Sequence, residues 1–234
     1  GLAVWLIYRL GKKLTNERIG LLAGFLAATS PLFLMNSGAL LAHPWTLVLS
    51  TVMALGWLDT FVVPTKLPLG IPLITAALAL GVLALTRPLT AIGVALPFII
   101  HALILFLRGP GKVRWWLAGF AALAGILASL HFAWQMAVTG NPFINPYTLW
   151  WPYDKIGFGP DVGLQAGGYQ PAHAWYTVGY NLWIAVRDML GWGTLSWLML
   201  PFGLLSLRRN KPALLIGGVF PALVLAYAFY WIAA

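Results

Sequence analysis

Apolar stretches close to the length of a bilayer crossing alternate along this chain with short polar breaks. A spanning helix needs about 20 mostly apolar residues. Such stretches run over roughly 19–34, 45–62, 70–86, 88–107, 115–135, 191–207 and 213–232, and residues 1–10 read as the end of a truncated one. Several are bounded by proline, at Pro31, Pro44, Pro72 and Pro88, which loses no hydrogen bond where it opens a helix. The runs 70–86 and 88–107 meet at Thr86-Arg87-Pro88, a tight turnaround.

The pattern is interrupted at length only once. Residues 136–190 form one outer loop rich in Gly, Pro, Trp and Asp, with three of the five acidic residues, Asp154, Asp161 and Asp188. Within it, Trp175, Val178, Leu182, Val186 and Met189 recur at helical spacing, with Asn181 and Asp188 elsewhere on the wheel. As a span, 173–190 would place Arg187 and Asp188 in hydrocarbon at a cost of several kcal/mol, so an interfacial amphipathic helix is expected. The expected fold class is all-α: a polytopic transmembrane helix bundle, one domain over 1–234, with one long extracytoplasmic loop carrying that interfacial helix.

Composition agrees with the pattern. Hydrophobic residues make up 61% of the chain and charged ones 8%, far from a soluble domain. The 13 tryptophans suit a chain with many membrane interfaces. Absence of Cys excludes a disulfide framework, thiolate ligands and a Cys nucleophile. A net charge of +9 invites a nucleic-acid reading, but the positions of the charges argue against one. Under strict alternation Lys12, Lys13, Arg18, Lys66, Arg108, Lys112, Arg114, Arg208, Arg209 and Lys211, ten of the 14 basic residues, fall on one side, and Arg9 makes eleven. The positive-inside rule makes those loops cytoplasmic and the Asp-bearing loop extracytoplasmic. The basic charge then serves topology and contact with anionic lipid.

Chemistry is expected on the other side. Asp154 and Asp161 stand seven apart in WWPYDKIGFGPDVG, among aromatics that include Trp151 and Tyr153. Carboxylates there suit sugar hydroxyls or a cation, and the aromatic faces suit a pyranose ring. The alternative is that each Asp caps a turn through its own backbone. Arg87 stands alone on an otherwise uncharged outer turn, where its planar fork suits a phosphate and the alternative is a snorkelling anchor. His43, just before Pro44 in a short outer loop, could bond a phosphate or carry a proton, or complete the polar start of a helix. His173 opens the interfacial helix and has the same two readings. His101 and His131 are expected to be packed and hydrogen-bonded. Asp59 and Glu17 are expected to be solvated or paired. Four scattered His without HxxxH or HExxH spacing give no metal motif.

The order of parts carries a resemblance. A basic loop leads to GLLAGFLAATSPLFLMNSGALLAHP, then come a hairpin closed by TRP, a basic loop, a span, and the outer stretch TGNPFINPY…YDKIGFGPDVG…H. This resembles the GT-C superfamily of membrane glycosyltransferases, in the branch of protein O-mannosyltransferase-like and aminoarabinose transferase-like enzymes of the glycosyltransferase family 39 type. The similarity covers most of the chain, and its motifs are tightest over 139–173.

The resemblance implies an enzyme that moves a sugar from a polyprenyl-phosphate carrier to a protein or lipid hydroxyl on the extracytoplasmic face of a bacterial inner membrane. It implies carrier-phosphate contact for Arg87 and matches His43-Pro44 to the family's polar second outer loop. Phosphate contact for His43, and sugar or acceptor contact for Asp154, Asp161, His173, Trp151 and Tyr153, are expected from the residues themselves. The family's catalytic Asp lies in a first outer loop, expected N-terminal to this fragment, so no residue here inherits that role. No cofactor is fixed by the resemblance, and a divalent metal stays open. The expected partners are the lipid-linked sugar, the acceptor and the bilayer. The rival classes are a transporter or lipid flippase and a non-catalytic subunit of an envelope complex.

Overall fold

The structure, a computed structural model, describes residues 1–39, 42–63, 68, 70–207 and 210–232. Lys66, Arg208 and Arg209, counted above among the basic loop residues, lie outside the described residues. The described chain is all-helical and holds only isolated β-bridges. Three of its helical segments are long and apolar enough to cross a membrane, and a fourth crossing is added if one bent pair counts as a single span.

Helices α1 (Leu2–Leu14) and α2 (Glu17–Thr29) form an N-terminal hairpin. The run 19–34 is not one straight helix, because α2 and α3 (Pro31–Gly38) meet at 58°. Pro31 has no N–H to continue the ladder of α2 and forces Ser30 into an extended conformation. The Ser30 hydroxyl then caps α3 by accepting from the Phe33 N–H at 3.2 Å.

The centre is built from α4 (His43–Phe61), α5 (Gly70–Thr86), α6 (Pro88–Arg108) and α7 (Gly111–Thr139). Short connections alternate their direction, so α4 and α6 both begin at one end and both finish at the other. Their core holds Met53, Trp57, Leu83, Val94 and Phe98, all almost fully buried. Helices α4 and α5 approach closely at Gly56, where a Cβ would stand 2.5 Å from the Pro72 carbonyl oxygen. Small residues at such crossings are how helices pack where lipid removes the hydrophobic drive. At the finishing end, Lys13 and Val63 tie α1 to α4: the Lys13 ammonium pairs with Asp59 and donates to the Val63 carbonyl at 3.1 Å. Asp59 is thus paired.

Helices α6 and α7 are consecutive yet stand apart. α7 packs mainly on α5, and α6 mainly on the C-terminal helix. Between them runs a groove of about 710 Å³ over an aromatic floor of Trp57, Phe98 and Phe120. Trp57 donates its indole N–H to His101 Nδ1 at 3.1 Å, so His101 is packed and hydrogen-bonded.

After α7 the chain turns at Gly140, whose positive φ of 74° closes the helix. Residues 140–170 contain a 3₁₀ turn, Pro146–Leu149, and lead into α8 (Pro171–Met189). The apolar run 191–207 forms a 3₁₀ turn, Gly193–Leu198, followed by α9 (Met199–Leu207). Helices α10 (Lys211–Gly217) and α11 (Val219–Ala228) run on through Gly218 as an 18-residue apolar segment. It ends at Ala228, short of residue 232, because the next residues leave the helix to meet the loop.

Candidate functional site

Two helices that begin with X-Pro converge at the loop end of the bundle. His43 is the first residue of α4, followed by Pro44, and Arg87 is the residue that caps α6, followed by Pro88. The Arg87 backbone N–H donates to the Leu83 carbonyl at 2.8 Å, which fixes the turnaround and throws the guanidinium sideways. Its Nη1 lies 2.6 Å from His43 Nδ1. A guanidinium can only donate, so Nδ1 accepts and the imidazole is neutral with its proton on Nε2. His43 precedes the apolar run 45–62. Burial, and after it the Arg87 charge, hold its pKa below the ordinary value.

The pair opens into a cavity of about 370 Å³ between α4, α6, α8 and α11. Thr46 and Thr90 lie one turn into α4 and α6, and the Thr90 hydroxyl shares a 2.6 Å hydrogen bond with the Tyr227 phenol of α11. Asn181 of α8 adds an amide. The other walls are apolar, chiefly Leu182, Phe220 and Leu223. Asn181 lies with Val178, Leu182 and Ala185 on the cavity side of α8; the expected wheel set it apart from Val178 and Leu182. Trp175, expected on their face, is 86% exposed. The lining holds one cation and no carboxylate. Two helix N-termini, each carrying partial positive charge, and one guanidinium point to an anion.

The expected loop residues stand elsewhere, and none of Asp154, Asp161, His173, Trp151 and Tyr153 lines this cavity. Asp154 Oδ1 accepts from the Tyr230 hydroxyl at 2.8 Å and from the Trp231 indole N–H at 3.1 Å. Tyr153 packs edge-on against Trp231 with ring centres 5.5 Å apart. These contacts clasp the loop to the chain just past α11, joined by Gly157 N–H donating to the Phe229 carbonyl and Tyr169 O–H to the Ala228 carbonyl. Burial, then the bond to Asp154, push the Tyr230 phenol well above its usual pKa, which keeps it a donor. The Arg87 charge acts on the same phenol in the opposite sense, so clasp and cavity share one electrostatic neighbourhood.

Asp161 is exposed and makes no side-chain hydrogen bond among the described residues. His173 Nδ1 accepts from the Gln170 backbone N–H at 3.1 Å in a capping box, and the ring stacks on Tyr169. Trp151 stacks on Tyr147 at 5.9 Å and is half exposed. The loop holds its shape through a bridge between Gly159 and Tyr169. A Cβ on Gly168, at φ +78°, would stand 1.9 Å from the Gly159 carbonyl oxygen, so only glycine fits there.

Arg87 and His43, separated by 44 residues, are the two sequence candidates that the fold brings together. Thr90, Tyr227, Asn181 and Thr46 were missed. Thr90 and Thr46 left a signal, because each follows a candidate, Arg87 or His43, by three residues and so shares its helical face.

No known protein family model, curated protein or solved structure matches this chain.

Proposed function

We propose that the Arg87–His43 cavity holds the phosphate of a polyprenyl-phosphate sugar, and that the chain is a membrane glycosyltransferase serving a protein or lipid hydroxyl on the extracytoplasmic face. The observation that carries this reading is the meeting of Arg87 and His43 where two helix N-termini open into one partly apolar cavity. In that reading the phosphate displaces His43 as the partner of the guanidinium, and the first carbons of the carrier lie against Leu182, Phe220 and Leu223. As the acceptor oxygen attacks the anomeric carbon, the sugar–phosphate bond breaks and its electron pair goes to the phosphate. Arg87 and the two helix ends meet that growing charge. The lining holds no carboxylate, so this reading gives the acceptor's proton to a carboxylate supplied from outside the cavity, with His43 left to bond the phosphate. The sided distribution of basic residues along the sequence supports the extracytoplasmic orientation.

The groove between α6 and α7 favours a second reading, a lipid flippase, because it extends along most of α6. Purified protein given a short-chain polyprenyl phosphate separates the two. Binding that weakens in Arg87→Ala, while the fold is kept, supports the donor site. Undiminished binding in that variant sinks it. Movement of the carrier phosphate between leaflets without loss of its sugar would establish the flippase instead.

A further inference from the structure

The groove between α6 and α7 is a different place from the cavity at Arg87. Thr90, with Arg87 at the head of α6, faces the cavity; Ala91, Ala95, Phe98, Ala102 and Phe106, at steps of three and four, face the groove. The two share no lining residue. On α7 the groove is walled by Leu117, Ala121 and Ala128. Facing small residues ordinarily let two helices touch, but here the aromatic floor props them apart. An unfilled gap of about 710 Å³ would forfeit dispersion contacts on both walls.

The ends of the groove differ. At the loop end it closes on Pro88, His131 and Phe132, and at the other end on Phe106 and Arg114. Arg114 Nε donates to the Phe106 carbonyl at 2.9 Å and the guanidinium lies over the Phe106 ring, which leaves both terminal nitrogens for another acceptor. Arg108 and Lys112 stand in the same turn. From Pro88 to Tyr153 the sequence contains no carboxylate. Among the described residues the ion pairs engage Lys12, Lys13 and Arg187, not this turn. Arg114 thus caps an apolar slot that opens sideways, with Ile99 and Leu103 half exposed on its rim. Arg108 and Lys112 lie beside it in sequence, and none of the three makes an ion pair among the described residues.

We propose that the half of this groove between Phe98 and Arg114 binds one anionic glycerophospholipid of the adjacent leaflet, its phosphate on Arg114 with Arg108 and Lys112, and one acyl chain over Phe98 and Ala102. The ten residues from Phe98 to Arg108 rise about 15 Å, the depth of one leaflet's hydrocarbon. A chain anchored at the basic turn therefore ends near the middle of the slot. Basic clusters at the ends of spanning helices favour anionic headgroups. The site is independent of the donor reading.

The test uses the whole chain in nanodiscs with two photoactivatable lipids, a phosphatidylglycerol and a phosphatidylcholine, each carrying its diazirine at mid-chain. Expected are cross-links to peptides spanning 98–106 and 117–121, roughly tenfold richer with phosphatidylglycerol. The triple variant Arg108→Gln, Lys112→Gln, Arg114→Gln should bring the two lipids level. Ala121→Phe, which fills the slot, should remove both signals, with circular dichroism confirming the helices. Equal labelling of wild type by both lipids would overturn the proposal. So would cross-links between two copies of the chain at these peptides, or loss of the signal on adding a polyprenyl phosphate, which would give the groove to the carrier.

Discussion

The two faces of α6 solve opposite problems with the same helix. One carries Thr90, next to Arg87 at the helix head, toward the Tyr227 phenol and the His43 imidazole. The other carries alanines and Phe98 toward an aromatic floor with hardly a polar atom. The difference teaches where specificity is placed in a lipid-facing chain. Polar groups gather where helix ends supply charge and water is near, while the mid-helix space is shaped by size alone.

The largest effect that could break this contrast is on the apolar side. Trp57→Ala removes the floor of the groove and the partner of His101, and should lower unfolding stability by about 3–5 kcal/mol, read by denaturant titration in detergent. A cost below about 1 kcal/mol, within the range of ordinary surface substitutions, would mean the floor is not packed as described. On the polar side, Arg87→Ala should weaken polyprenyl phosphate binding by about 10–100-fold, the weight of a hydrogen bond to a charged group, with little change in melting temperature. Arg87→Lys should fall between, since it keeps charge but loses the fork.

Smaller effects sharpen the comparison by testing the clasp beside the polar cavity and then its α11 wall. Asp154→Ala leaves the Tyr230 hydroxyl and Trp231 indole without their acceptor and should cost about 1–2 kcal/mol, whereas Asp154→Asn, still an acceptor, should cost less. Equal losses in both would show that the charge matters and not the bond. Tyr227→Phe should cost about 1 kcal/mol through the Thr90 bond.

The smallest expected signal is in pH. The folded pKa of His43 lies below its ordinary 6.5, so below that pH the unfolded chain takes up a proton that the folded one resists. Its contribution is steady above about pH 6.5 and is lost as the pH falls toward the folded value. His43→Gln should flatten that slope in pH-dependent melting.

Much of the fold was legible because apolar runs and prolines mark helices by local chemistry. The heads of α4 and α6 follow from His43-Pro44 and Arg87-Pro88. At Ser30 the sequence marked a boundary through Pro31 but not the bend, because the apolar run 19–34 continues past a single Ser-Pro. The pairing of Arg87 with His43 was invisible as a contact, although each residue stood out alone; only the alternation of α4, α5 and α6 brings them level. Tyr227 sits in an apolar run with nothing local to mark it. Asp154 stood out as a scarce carboxylate among aromatics, but its partners lie beyond α11, and proximity across that span leaves no trace in sequence pattern.

That span has a consequence for synthesis. Asp154 waits for a hydroxyl 76 residues further along the chain. At a ribosomal rate of about 5–20 residues per second, the aromatic loop stays unfastened for roughly 4–15 s after it is made. During that interval Tyr153 and Phe158, which later pack on Trp231 and Phe229, are open to chaperones, to proteases and to the membrane surface, so a slow codon run before Tyr230 would lengthen the time in which the nascent protein is vulnerable.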